Sequence, residues 1–406
     1  MDDAVAVEER FLKPFTQQEP ISEPAIARAV AVMRSGRLHR YNTAADETSE
    51  AAALERDYAA WQGARYCVAC ASGGYGLHIA LRALGVQPGD PVLTNAYTLA
   101  PVPGAVHNAG GRPVFVEIGE DWRTDLDDLR AKAASSGARV FLISHMRGHL
   151  ADMEAVAAIC AEHGVRLLED CAHTMGARWN GRRSGNFGAV ACFSTQTYKH
   201  LNSGEGGLIT TDDPDIAARL IVNSGSYMLW ARHLARPEDA AFDAARYEVP
   251  NYSGRMDNLR AAILRAELPL LDARIARWNA LYAAMEDGLR GAPGVGVVAL
   301  PAAEAHVGSS FQFRALGVAP GGMPDFLARC AARGVEIKWF GAAEPHGFTS
   351  RFDSWRYLGT LPDLPRTQAV LATTCDLRLP LTFEPDDCRV IARIIAEEVA
   401  RGCNLG

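Results

Sequence analysis

No stretch of this 406-residue sequence is apolar for long enough to span a membrane. The N-terminus, Met1-Asp2-Asp3-Ala4-Val5-Ala6-Val7-Glu8-Glu9, is acidic where a signal peptide would be basic and then apolar, so the chain is expected to be cytoplasmic. An excess of positive charge is also missing. The net charge is −7 with acids and bases interspersed, which leaves no basic face for nucleic acid or an anionic membrane. Cysteines are few: nine, an odd number, spread thinly, which suits reduced thiols better than a disulfide framework. Cys67-Val68-Ala69-Cys70 is the one CxxC pair, and its apolar run reads as two core thiols in a strand. Neither the GxGxxG nor the Walker pattern occurs, and there is no internal repeat or low-complexity segment.

What is present is an ordinary globular composition, 48% apolar and 22% charged, on a length that fits two domains. Short apolar runs at Tyr66-Ala71, Pro91-Thr94, Pro113-Ile118, Val140-Ser144, Val165-Asp170 and Ala189-Phe193 alternate with helical periodicity, as in Asp152 to His163. That alternation predicts an α/β fold, a mainly parallel mixed sheet flanked by helices. Beyond it, the spacing of Leu259, Ile263, Leu268, Leu271 and Ile275 predicts one long helix linking to a smaller α+β region. There, strands are expected at Gly296-Leu300 and Ser310-Arg314, helices at Pro324 to Arg333 and Asp387 to Arg401. The expected division is 1–260 for the large domain and 261–406 for the linking helix and smaller domain.

Three places carry chemistry. In Phe193-Ser194-Thr195-Gln196-Thr197-Tyr198-Lys199, followed by Gly204-Glu205-Gly206-Gly207, one lysine is delivered to a strand end, where ligand sites on open α/β sheets collect. Desolvation there would depress its pKa and make it a Schiff-base candidate, although most lysines beside glycine turns are simply solvated. Asp170 closes the strand through Leu167-Leu168, where a carboxylate can meet a protonated ring nitrogen; capping the next turn is the plainer role. Ser72-Gly73-Gly74-Tyr75-Gly76 joins a strand to a helix and presents free N–H groups to an anion. His145 and His173 sit near two strand ends without a recognisable ligand spacing, so no metal is expected. The aromatic and basic stretch from Tyr227 to Arg236 reads as a lid or an interface arm.

With these residues in view, the chain resembles the DegT/DnrJ/EryC1/StrS family of pyridoxal-phosphate aminotransferases, of the aspartate-aminotransferase fold (fold type I). The motifs are Glu169-Asp170-Cys171-Ala172-His173-Thr174-Met175-Gly176-Ala177 and Phe193 to Gly207, together with Ser72-Gly73. The resemblance implies that pyridoxal 5'-phosphate is covalently held on Lys199, that Asp170 pairs with its ring nitrogen, and that His173 lies beside it. It implies a phosphate held by Gly73, Gly74, Tyr75 and Ser194, with Asn251 reaching the cofactor of a second copy in a homodimer. The stacking position falls at Leu99, with Tyr97 nearby. Departures are Gly74-Tyr75 where a threonine is usual, Ser253-Gly254 inserted before Arg255-Met256, and Arg37 to Asn42 in place of a Gly-rich stretch.

The implied reaction moves an amino group from glutamate or glutamine to a keto sugar, often nucleotide-linked, or to a keto cyclitol. A dehydratase of the same family, with histidine in place of the lysine, is the rival inside the family, and His200 stands next to Lys199. A non-catalytic metabolite-binding regulator is the rival from another class. Arg37, His39, Arg40, Arg147, His149, Arg232 and Lys338 are candidate contacts for an anionic substrate group.

Overall fold

The computed structural model describes residues 9–44 and 46–403. Two helices lead in, α1 (Glu23–Ser35), closed by Gly36, and α2 (Glu50–Gln62), whose first turn is capped by the Ser49 side chain. The strands that follow are β1 (Tyr66–Cys70), β2 (Pro91–Asn95), β3 (Arg112–Val116), β4 (Val140–Ser144), β5 (Arg166–Asp170), the short hairpin β6 (Arg178–Trp179) and β7 (Arg182–Arg183), β8 (Val190–Ser194) and β9 (Gly207–Thr211). Seven of them form one sheet in the order β1-β9-β8-β5-β4-β2-β3. All neighbours from β8 to β3 pair in parallel, and β9 alone runs against both of its neighbours. This is the mainly parallel mixed sheet that the alternation predicts. Its central strands are apolar at nearly every position because helices cover both faces.

That topology brings polar residues to one edge. Ser144 pairs with Asp170 at the ends of β4 and β5, and Ser194 pairs with Gly207 where β8 ends and β9 begins. Gly207 also faces Cys70, the last residue of β1. The helix α3 (Gly73–Ala83) starts beside the same edge.

A second sheet of four strands, all antiparallel, joins β10 (Val295–Gly296), β12 (Ser310–Ala315), β14 (Thr374–Arg378) and β13 (Lys338–Trp339) in that order, while β11 (Glu304–Ala305) pairs with β6. The helices Leu271–Leu289 and Pro385–Cys403 pack against each other beside it. Near the N-terminus, Phe11 and Phe15 meet Phe383 edge-on at 5.0 and 5.1 Å.

Two expectations need correction. The long linking helix is two helices, Asn258–Glu267 and Leu271–Leu289, separated by a 3-10 turn at Leu268–Leu270. Pro269 lies in that turn and has no N–H to continue the α-helical ladder. The strand expected at 296–300 ends at Gly296, where pairing with β12 stops and the chain leaves the sheet ahead of Pro301.

Candidate active site

Lys199 lies in the loop that returns from β8 to β9. Backbone bonds pin both feet of that loop: the Thr195 N–H donates to Gly206 O (2.9 Å) and the Thr197 N–H to Gly204 O (3.0 Å). The Lys199 amine ends 2.7 Å from Nε2 of His173. Desolvation, then the neighbouring Arg147, pulls the amine from the ordinary lysine range down to about 7, against the pull of Asp170; Arg378 and Lys338 add to the depression.

Hydrogen bonding points the same way. Arg147 is one of the few non-glycine residues with positive φ (56°), and this backbone turn directs its N–H toward Nδ1 of His173 at 3.4 Å. A ring nitrogen that accepts there has no proton, so the proton of a neutral imidazole is on Nε2. Nε2 then donates to Lys199, which accepts only as a neutral amine. Burial, with Lys199 and Arg147 close by, holds His173 well below its usual pKa and keeps the ring neutral.

Asp170 ends β5 and is 7% exposed. The Ser144 hydroxyl donates to one of its oxygens (3.0 Å) and the Ala172 N–H to the other (3.1 Å). Thr98 in turn donates to Ser144 (2.8 Å), and the Ser144 N–H is held by Asn95 (2.7 Å), so the carboxylate is fixed from behind. Burial raises its pKa, opposed by Ala172, Lys199 and Ser144.

At the start of α3, Ser72 caps the helix by accepting the Tyr75 N–H (3.1 Å). The N–H groups of Gly73 and Gly74 are the first of the helix and have no helical acceptor. A Cβ on Gly207 would lie 2.6 Å from the Ser72 carbonyl, so β9 can begin against this turn only with glycine. Ser194, the register partner of Gly207, lies against Gly73 at the positive end of α3.

Tyr75 does not contribute a free group to that surface. Its N–H is taken by Ser72, its hydroxyl donates to Asn223 O (3.1 Å), and its ring stacks on Tyr252 (5.7 Å, 14°). The inserted Gly254 explains how the tyrosine fits, since a Cβ there would fall 2.0 Å from the Tyr75 ring. The two departures from the family pattern therefore accommodate each other. Leu99 lines the Lys199 cavity with Arg147, His173 and Gln196, whereas Tyr97 is buried behind it, edge-on to Phe340. Asn251 is exposed, accepts the Tyr227 N–H (2.9 Å), and does not line the Lys199 cavity of its own chain.

The structure adds residues that the sequence reading left out. Arg378 stands 3.6 Å above the centroid of the Tyr198 ring and lines the cavity with Ser309, Ser310 and Phe348. Asp376, fully buried, pairs with Arg147 (2.9 Å) and lies 3.6 Å from Lys338, and it accepts from Gln312 (2.8 Å). Burial favours the protonated Asp376 carboxyl, but Arg147 and Lys338 outweigh it and hold its pKa below the usual range. Lys338 is drawn down to about 8 by burial against the pull of Asp376. Alternation in Thr374-Cys375-Asp376-Leu377-Arg378 was the available signal, because it puts Asp376 and Arg378 on the same face.

His145, Glu169 and Cys171 lie close enough together to share a metal ion. Glu169 is already occupied: it accepts the N–H groups of Gly185, Phe187 and Gly188 and meets His145 at 3.1 Å. Burial raises the Cys171 thiol pKa well above its usual value, so the cluster is better suited to fixing the 184–188 turn than to coordination. His149 meets Gln312 (2.8 Å), and Arg40 is paired with Glu55 in the core.

The model of the DegT/DnrJ/EryC1/StrS aminotransferase family matches residues 21–394. A transaminase of Streptomyces venezuelae for dTDP-3-amino-3,4,6-trideoxy-alpha-D-glucose is 37% identical over 248 residues, 60% of this chain and 61% of its own length. A pleiotropic regulatory protein of Geobacillus stearothermophilus is 36% identical over 230 residues, covering 56% of each chain. The matched stretch thus spans less than two thirds of these relatives. Among solved structures, 3-amino-5-hydroxybenzoic acid synthase superposes with a TM-score of 0.82 at 25% identity, covering 97% of this chain and all of that one. DesV of S. venezuelae gives 0.80 at 28% identity, with 97% and 99% covered.

Proposed function

The chain belongs to the DegT/DnrJ/EryC1/StrS aminotransferase family, and from that membership we propose that it transfers an amino group from glutamate or glutamine to a keto sugar or keto cyclitol. The observation that carries this reading is the neutral amine of Lys199 facing His173, next to a buried carboxylate at the end of β5.

Pyridoxal 5'-phosphate fits the residues present. Its phosphate suits the free N–H groups of Gly73 and Gly74 with Ser194, its protonated ring nitrogen suits Asp170, and its carbonyl suits Lys199. When bound it supplies a carbonyl for amines and an electron sink for the carbon next to the transferred nitrogen. Lys199, with its pKa drawn down to about 7 and so about half neutral near pH 7, attaches the group and then takes up and returns the proton at the reacting carbon. Asp170 keeps its charge toward the ring because Ser144 and Ala172 satisfy its oxygens from the protein side. His173 orients the lysine amine, and Leu99 excludes water above it. Arg147, Arg378 and Lys338 supply positive charge for an anionic group on the exchanging molecules.

His200 is turned away, bonded to Ser309 (3.0 Å) and edge-on to Trp278, which weighs against the dehydratase reading. The exposed side chains Tyr227, Met228, Tyr247 and Tyr252 around Asn251 support a homodimer in which Asn251 serves the second copy's site. The test is spectroscopic. Purified protein should show a visible cofactor band that disappears on borohydride reduction, leaving the cofactor fixed to Lys199, and that L-glutamate or L-glutamine bleaches. A band that no amino acid bleaches would favour a regulatory role.

A further inference from the structure

The 3-10 turn Met146–Gly148 follows β4, and two side chains from it and its exit, Arg147 and His149, reach across to the second sheet. They arrive at one level, because Gln312 on β12 and Asp376 on β14 are register partners. Nε2 of His149 lies 2.8 Å from Oε1 of Gln312, and Arg147 pairs with Asp376 at 2.9 Å. The two acceptors are themselves joined: the Gln312 amide nitrogen donates to Asp376 (2.8 Å) and to Ser310 (2.9 Å). Arg147, His149, Gln312 and Asp376 are all buried.

Proton placement leaves the amide one orientation. Asp376, held ionised by Arg147 and Lys338, only accepts, so the Gln312 nitrogen faces it and the Gln312 oxygen faces His149. Burial, with His306 and Arg123 close by, draws His149 down to about 3, so its ring is neutral and the proton on Nε2 goes to Gln312. Turning the amide over would set oxygen against carboxylate and N–H against N–H where no water can intervene.

The turn held in this way has a backbone shape that is sparsely populated on its own. Arg147 has φ 56°, Gly148 has φ 96°, and a Cβ on Gly148 would lie 2.7 Å from the His306 ring. That shape aims the Arg147 N–H at Nδ1 of His173, whose Nε2 meets the Lys199 amine. We propose that Gln312 is a positioning residue for Lys199: by tying His149 to Asp376 it clamps the 146–149 turn to the second sheet, and so keeps the Arg147 N–H on the His173 ring. This rests on the aminotransferase reading, in which the Lys199 amine attaches the cofactor, and adds to it a residue that acts only through others. The orientation of an amine carried by the first sheet thereby depends on how the second sheet is docked against it.

The test separates attachment from binding in the full chain freed of cofactor. Gln312→Leu removes the bonds to both His149 and Asp376. At pH 8.5 it should attach pyridoxal phosphate about tenfold or more slowly than wild type, as a misplaced reacting group does. Pyridoxamine 5'-phosphate, which has no aldehyde to attach, should bind with unchanged affinity in equilibrium dialysis. Nitrogen-15 NMR of His173 at the same pH should show a bare Nδ1 in wild type, and in the variant the two ring nitrogens should average toward each other. His149→Phe keeps a ring in place and should slow attachment in the same direction; it carries the test if Gln312→Leu is recovered unfolded. Attachment at the wild-type rate overturns the proposal. So does a loss of pyridoxamine phosphate affinity equal to the loss of rate, or a His173 ring whose nitrogens do not change. If wild type itself attaches no pyridoxal phosphate, the aminotransferase reading falls instead, and the His173 signals still decide the role of Gln312.

Discussion

The Lys199 amine and the His173 ring are joined nitrogen to nitrogen at 2.7 Å, with the Arg147 N–H aimed at the far side of the ring. This order fixes where the protons are. The imidazole donates, the amine accepts, and a lysine drawn down to about 7 is poised to react near neutral pH.

Covalent attachment of pyridoxal phosphate to cofactor-free protein should therefore follow the neutral amine. Its rate is expected to rise about tenfold per pH unit below 7 and to level off above it. Stopped-flow absorbance between pH 5.5 and 9 measures this directly, and a rate still climbing at pH 9 would contradict the depressed amine. Lys199→Ala protein should retain no cofactor after borohydride treatment and denaturation.

The same shift predicts a stability profile. The folded-state pKa of Lys199, about 7, lies below the 10.5 of an ordinary lysine, so between these values the unfolded chain binds more protons. The burden of burying the charged amine is present in full below pH 7 and is relieved as the pH rises toward 10.5. Cofactor-free Lys199→Met should thus be more stable than wild type in urea at pH 6, with the gap narrowing by pH 9.5. A gap that widens with pH would reverse the assignment.

Much of this site was legible because its main groups sit at the ends of apolar runs. Asp170 follows Leu167-Leu168, and Lys199 follows Val190 to Phe193 after a short polar turn, so local pattern and strand-end position agree. Asp376 and Arg378 are different. They reach the site from a strand near the C-terminus through antiparallel pairing with β12, and long-range pairing leaves no trace in spacing around Lys199. Tyr75 shows another limit: its position after the Ser72-Gly73-Gly74 turn was readable, but the direction of its ring depends on Tyr252 and Gly254, far along the chain.

Asp170→Asn keeps the shape but removes the charge, and its single amide oxygen accepts from only one of Ser144 and Ala172, which donate to different oxygens of Asp170. Cofactor should remain bound, while the half-reaction with L-glutamate slows by roughly a hundredfold or more. Rapid-mixing spectra give this rate, and wild-type speed would mean that the carboxylate charge has no part in the chemistry.

Asp376→Asn tests the cation cluster. It leaves Arg147 without its buried partner and should destabilise the fold by about 3 kcal/mol or more, read from urea titration. A change under 1 kcal/mol would show that water already neutralises the pair.

Gly207→Ala would press a methyl group into the Ser72 carbonyl. Overpacking of this kind costs about 1–3 kcal/mol, and the displaced turn should weaken cofactor binding. Equilibrium dialysis against pyridoxal phosphate would detect it, and unchanged affinity would place the phosphate elsewhere.

The reversed direction of β9 has a further consequence. Because β9 runs back along β8 from the Ser194–Gly207 pair, the reactive amine hangs from a hairpin whose two legs are both ladders of the central sheet. Its position thus depends on strand register as well as on the bonds within the loop. A slip of one residue in either ladder would turn alternate side chains to the opposite face and carry Lys199 away from His173 as a unit. Mispairing during folding should then damage this site abruptly, even with the bonds within the loop intact.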